Sequence, residues 1–254
     1  MKPIQTGRGQ VRHGLSVYRT PAHLAAGVAA FATRALHAGA PVVLVPSRAH
    51  RAAVLAGVEG MGIDVAAGLA DARLLVLDAD EVAAACIAEG DVAGAWTAFE
   101  RHLDALRSRG ARRVAVWGEG TDLLLKAGRR DLSARLERRW CEATATDTAL
   151  DLACSFCADL LDEASWGAEL AGACALHTDV TDVEDAERIE ALVDRAVAVV
   201  LGPRVTGMAW SFADARPPDP GALPVALARL LWLREQMPAT CSRVLAVARG
   251  LAGA

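Results

Sequence analysis

Three groups of residues in this chain have the types and spacing to do chemistry. The first is a carboxylate at a glycine bend. Residues 111–128 read A-R-R-V-A-V-W-G-E-G-T-D-L-L-L-K-A-G, an apolar run that breaks at Gly118-Glu119-Gly120 before Thr121 and Asp122 open an amphipathic segment. Strand, glycine turn and helix start in that order put Glu119 beyond the carboxyl end of a strand, where open parallel sheets hold ligands. Glu119 there is either a general base or ligand contact, or a local cap accepting backbone N–H groups. The second group, Ser47, Arg48, His50 and Arg51, follows the run P-V-V-L-V-P. At a helix N-terminus these residues either bind an anion or cap and solvate the first turn. The third is Cys154-x-x-Cys157 and, after sixteen residues, Cys174-x-x-His177. That spacing suits a tetrahedral zinc site of three thiolates and one imidazole. Against zinc stand the helical pattern of the intervening segment and the place of Cys154 in a strand, where a small buried thiol is common. Cys86, Cys141 and Cys241 stand isolated and read as packed.

Several chemistries lack their anchors. The turn after the first apolar strand reads V-P-S-R-A-H-R, with no glycine and no lysine, so no phosphate-cradling loop is present. No G-x-S-x-G elbow and no glycine-rich dinucleotide fingerprint occur. An enzyme reading therefore reduces to a degenerate NTPase or a hydrolase using Glu119 as base.

The elements that must position these residues follow from periodicity. Thr20-Pro21 starts an alanine-rich helix that reaches His37; a strand at 41–46, apolar on both faces, is an interior parallel strand. Ser47 caps the next helix, which ends near Gly60, and short strands are predicted at 62–65 and 74–77. Helices follow at about 80–88 and 91–108; Trp96, Phe99, Leu103 and Leu106 of the second read as core. After the strand at 114–117 a helix at about 131–141 carries Arg135, Glu137, Arg138 and Arg139, read as a solvated charged face. A strand at 151–156, helices at 160–173 and 183–201, and two helical segments within 222–252 split at Pro238 complete the pattern. In the last, Leu223, Leu227, Leu230 and Leu231 form an apolar face that packs on the sheet or meets a partner. Strand and helix alternating at this rhythm predict an α/β fold with a parallel sheet and right-handed crossovers. The expected division is a flexible lead-in at 1–12, an α/β domain at 13–180, and a helical C-terminal extension at 181–254 with a proline-rich linker at 202–221.

Composition narrows the classes. The chain has 254 residues and a formal net charge of −4, which gives no reason to expect direct nucleic-acid binding. No apolar run approaches the roughly 18 residues that span a bilayer, and the first residues lack a secretory apolar core. Six cysteines without a signal peptide read as reduced thiols, so a cytoplasmic protein is expected.

A series of ordered short motifs resembles the MEDS domain, the sensory domain of the dichloromethane-dehalogenase regulator DcmR and of many histidine kinases and sigma-factor regulators. The series begins with R-H-G-L-S-V-Y, holding His13 and Tyr18, and the strand V-V-L-V-P-S. It continues through A-D-A-R-L-L-V-L-D-A-D, V-W-G-E-G-T-D-L-L-L, R-L-E-R-R-W-C-E and D-L-A-C-S-F, and closes on C-A-L-H-T-D-V. It spans about residues 12–180. Three positions depart from the family pattern: Gly120 replaces a methionine, Leu125 a tryptophan and Cys157 a proline. The resemblance implies a RecA- or KaiC-like parallel sheet flanked by helices, without a P-loop, serving as a non-catalytic signal input module. The expectation is then a cytoplasmic, small-molecule-sensing regulatory domain in bacterial signal transduction or transcription control. Its unknown ligand would lie against Ser47, Arg48 and His50, with Glu119 and Asp122 in the middle and Phe156 and His177 on the far side. No cofactor, membrane or nucleic-acid partner is expected. Output would pass to a histidine kinase, sigma-factor or transcription regulator, and self-association stays open, as does a zinc-dependent switch at Cys154, Cys157, Cys174 and His177.

Overall fold

The structure, a computed structural model, describes residues 13–214 and 223–253. The expected lead-in at 1–12 and the end of the expected linker, beyond Asp214, lie outside the described residues. In order the first elements are β1 (His13–Tyr18), α1 (Pro21–His37), β2 (Val42–Val45), α2 (Arg48–Gly60), α3 (Val65–Ala70), β3 (Leu74–Val76), α4 (Ala79–Glu89), α5 (Ala93–Ser108) and β4 (Val114–Gly118). They continue with α6 (Gly120–Lys126), α7 (Arg130–Thr146), β5 (Leu150–Cys157), α8 (Glu163–Leu176), β6 (Asp179–Val183), α9 (Ala186–Leu201), α10 (Pro203–Asp214), α11 (Val225–Gln236) and α12 (Pro238–Ala252). The fold is α/β, a parallel sheet flanked by helices with a helical C-terminal region, as its sequence predicts. No helix of the described residues is long and apolar enough to cross a membrane.

The chain forms two compact units. One holds His13, Gly14 and Leu24–Ser155; the other holds Leu15–His23 and the described residues from Phe156 onward. In the first unit the strands run in the order β3-β2-β4-β5, all parallel, with Gly118 of β4 opposite Val45 of β2 and Cys154 of β5. All four residues of β2 are buried, as an interior strand apolar on both faces requires. The connection after β2 leads to β3 on one side, while the connection after β4 leads to β5 on the other. The carboxyl ends of β2 and β4 therefore flank a topological switch point, the place where such sheets open a crevice. Residues 62–65 form no strand. Asp64 accepts the Ala67 N–H at 2.8 Å and caps α3, because an aspartate before V-A-A-G-L-A favours a helix start over so short an extended run.

In the second unit the end of β5 is followed by β1 and then β6, with Ala158 donating to the Tyr18 carbonyl at 2.9 Å and Glu184 to the Val17 carbonyl at 3.0 Å. Helix α9 packs on α10, α11 and α12. Leu227 and Leu230 are fully buried within this unit, so part of the apolar face of α11 is internal. Arg229 donates to Glu190 and Asp194, both at 3.1 Å, and its guanidinium lies 4.9 Å from the centre of the Trp210 ring. Residues 203–214, expected as linker, are helical. Pro203 stands in the first turn, where its fixed φ suits a helix, and the remaining prolines follow Asp214. The two units divide inside β5, and β6 and α9 belong to the second together with most of β1 and the end of β5.

Candidate functional site

Glu119 follows β4 and Ser47 follows β2, so the switch point brings the two turns together. The Glu119 side chain is buried, 1 % exposed. Its Oε2 accepts the Ser47 N–H at 2.8 Å and the Ser47 hydroxyl at 3.1 Å; its Oε1 lies 2.6 Å from His50 Nδ1. A carboxylate only accepts, so Nδ1 of His50 carries the proton. The Ser47 Oγ lies 3.0 Å from that same nitrogen. A serine relay needs the hydroxyl and the acid on opposite ring nitrogens, with the one facing serine free to take its proton. Here both meet Nδ1, so the ring does not bridge Ser47 and Glu119 in that arrangement. Both Glu119 oxygens are occupied by protein donors, which makes the trio a tie between two turns rather than an open base.

The start of α2 is likewise served from within. Arg48 donates its backbone N–H to Asp80 at 2.7 Å and its Nε to Asp78 at 2.9 Å, with Glu81 at 3.4 Å. The Asp78 hydrogen bond raises Arg48, and the same bond lowers Asp78. Three acids around this turn take the place an anion would need. Asp122 is buried and paired with Lys126 at 2.7 Å, one helical turn on. Phe156 and His177 are buried in the second unit, where His177 Nδ1 donates to the Ala173 carbonyl at 2.6 Å and closes the end of α8. Of the expected ligand wall, then, Ser47, His50 and Glu119 come together, Arg48 turns to its acidic neighbours, and Asp122 to Lys126.

The spaced cysteines do not gather either. Cys154 and Cys157 both lie in β5, and an odd separation in a strand puts two side chains on opposite faces. Among the described residues no potential metal-ligand group contains Cys157 or Cys174. Burial pushes the Cys174 thiol up to about 12.

Beside the tie lies a cavity of about 460 Å³. It meets the carboxyl ends of three strands through Val45, Val76 and Gly118, and α5 and α7 wall it with Trp96, Phe99 and Trp140. The Trp140 ring stands edge-on to Trp96 at 4.9 Å and to Phe99 at 4.7 Å, an arrangement that aromatic quadrupoles favour. The lining is mostly apolar, with Arg51, Asp78 and His102 among its polar members. A concave, mainly apolar space of this size with a few polar groups is what a small-molecule site requires. Helical spacing marks Trp96 and Phe99 only as apolar-face residues and carries no sign that the space between two such faces stays unfilled.

The family described as MEDS, MEthanogen/methylotroph, DcmR Sensory domain, matches this chain over residues 12–178. No curated protein and no solved structure shows significant similarity to it.

Proposed function

The chain belongs to the MEDS family of sensory domains, and from that premise we propose that it binds a small, largely apolar molecule and reports its occupancy to a partner protein without catalysis. The observation that carries this reading is the aromatic-walled cavity at the switch point. Its volume, about 460 Å³, lies within the range of drug-sized ligand pockets, and its rings offer flat apolar faces. The setting is signal transduction or transcription control in bacteria. A stripe on α10 favours output through a partner: Val205, Met208 and Phe212, at i, i+3 and i+7, are 46 %, 62 % and 66 % exposed. The rival enzyme reading is disfavoured by the shared ring nitrogen of His50 and by the occupied oxygens of Glu119.

Trp96 and Trp140 supply the assay. Titration with dichloromethane, chlorobenzene and a series of short alcohols should give saturable quenching of tryptophan fluorescence by at least one class. Replacing Ala85 and Ala95, which both line the cavity, by leucine should fill the space and abolish the quenching while circular dichroism stays unchanged. Quenching that survives the filled cavity, or no saturable response from any probe, would overturn the proposal. Phosphate release from ATP that Glu119→Gln removes would point to the enzyme instead.

A further inference from the structure

Within the first unit three potential metal ligands from distant parts of the sequence converge out of contact with solvent. His13 is 1 %, Cys154 3 % and Glu137 6 % exposed. His13 Nε2 lies 3.3 Å from Glu137 Oε2 and 3.5 Å from Cys154 Sγ, and Cys154 Sγ lies 4.0 Å from Glu137 Oε2. The geometry points to a site for a divalent transition metal of the zinc class, held by His13 Nε2, Glu137 Oε2 and Cys154 Sγ.

The separations carry the argument. A tetrahedral zinc ion with its usual bond lengths spaces nitrogen and oxygen ligands by roughly 3.3 Å, and a thiolate sulfur from either by roughly 3.6 Å. The three observed distances lie within about half an ångström of that pattern, so binding needs only side-chain adjustment. The donor set also fits the ion. Sulfur and imidazole with one carboxylate suit a borderline metal, and hard oxygen-seeking cations would want more oxygens. A neutral imidazole, a carboxylate and a thiolate carry two negative charges, which balance a divalent cation and make the buried centre neutral. Three protein ligands leave the fourth tetrahedral position to a further donor.

The surroundings hold the ligands in place. His13 Nδ1 faces Cys141 Sγ at 3.5 Å, so the other ring nitrogen is the one turned to Glu137 and Cys154. Partners on the far nitrogen commonly fix a ligating imidazole. Helix α7 presents two parallel pairs one turn apart: Leu136 and Trp140 line the cavity, while Glu137 and Cys141 meet His13. Strand β5 repeats this economy, since Leu152 and Cys154 share one face and both line the cavity. A metal at Cys154 would therefore stand at the cavity wall. This site differs from the spaced cysteine set, because Cys157 and Cys174 take no part in it.

Cobalt(II) is the probe. Added to the chelator-stripped full chain, it should bind at one equivalent and give a thiolate-to-metal charge-transfer band, with zinc displacing it. Cys154→Ser should remove the band, Glu137→Gln should remove stoichiometric binding, and Cys141→Ser should weaken affinity roughly 10–100-fold. Cys157→Ser and Cys174→Ser should leave the band unchanged. No stoichiometric cobalt in the unaltered chain, or a band that persists in Cys154→Ser, would overturn the site. Should Cys154→Ser fail to fold, the unaltered chain and the near-isosteric Glu137→Gln decide between them. None of these readouts involves a cavity ligand, so loss of the metal site and loss of the sensing proposal are separable.

Discussion

Glu119 Oε1 and His50 Nδ1 lie 2.6 Å apart across a separation of 69 residues, joining the turn after β4 to the turn after β2. The contact sits at the switch point of the sheet, and neither residue lines the neighbouring cavity. Its first consequence is energetic. A buried carboxylate that accepts from a backbone N–H, a hydroxyl and an imidazole anchors both turns.

Glu119→Gln places an amide NH₂ where one of those donors now points, and leaves a buried donor unmatched. The expected loss is about 1–3 kcal/mol of stability, read as a lower urea midpoint with an unchanged slope. Unaltered stability would show that the three contacts do not form in solution.

Trp140→Ala removes a ring that meets both Trp96 and Phe99 and enlarges the cavity. Trp140 is only partly buried, so the cost should be about 2–3 kcal/mol, below the ~3–5 kcal/mol of a fully buried tryptophan. Trp140→Phe should recover much of it. Equal losses in the two variants would argue against an aromatic role.

In the second unit Glu184 receives the N–H groups of Arg19 and Thr20 at 2.7 and 2.8 Å and the Thr20 hydroxyl at 2.8 Å. Burial by itself raises this carboxyl, but those donors outweigh it and the net shift is downward from 4.5. A lowered folded value means the stabilisation is complete above the ordinary value and is lost as pH falls through the folded one. Thermal melts should therefore separate the unaltered chain from Glu184→Gln near neutral pH, with the gap closing below 4.5. A gap that widens on acidification would reverse the sign.

Burial likewise pushes Cys174 up to about 12 and Cys241 up to about 11. The reactive thiolate is then scarce near pH 8, and both sulfurs are covered. Iodoacetamide at that pH should leave both residues unmodified until urea unfolds the chain, as peptide mass mapping can follow. Fast labelling of Cys174 in the folded protein would contradict its burial.

The sequence by itself determined the layered architecture. Apolar runs such as V-V-L-V, helix starts at Thr20-Pro21 and Ser47, and the break at Pro238 are local signals, because period, capping and proline geometry act within a few residues. The absence of a phosphate loop and the motif series of the sensory family were legible for the same reason. What the sequence could not reveal was pairing across distance. Glu137 reads as one charge on a solvated helix face, yet it is buried against His13, 124 residues away. Cys154-x-x-Cys157 has the spacing of a chelate, but the strand sends its two thiols to opposite faces. Trp96 and Phe99 read as core until two helices leave a space between them. Tertiary structure decided those three points because ligand sets and cavities depend on how remote elements meet, and a one-dimensional pattern carries no record of that distance.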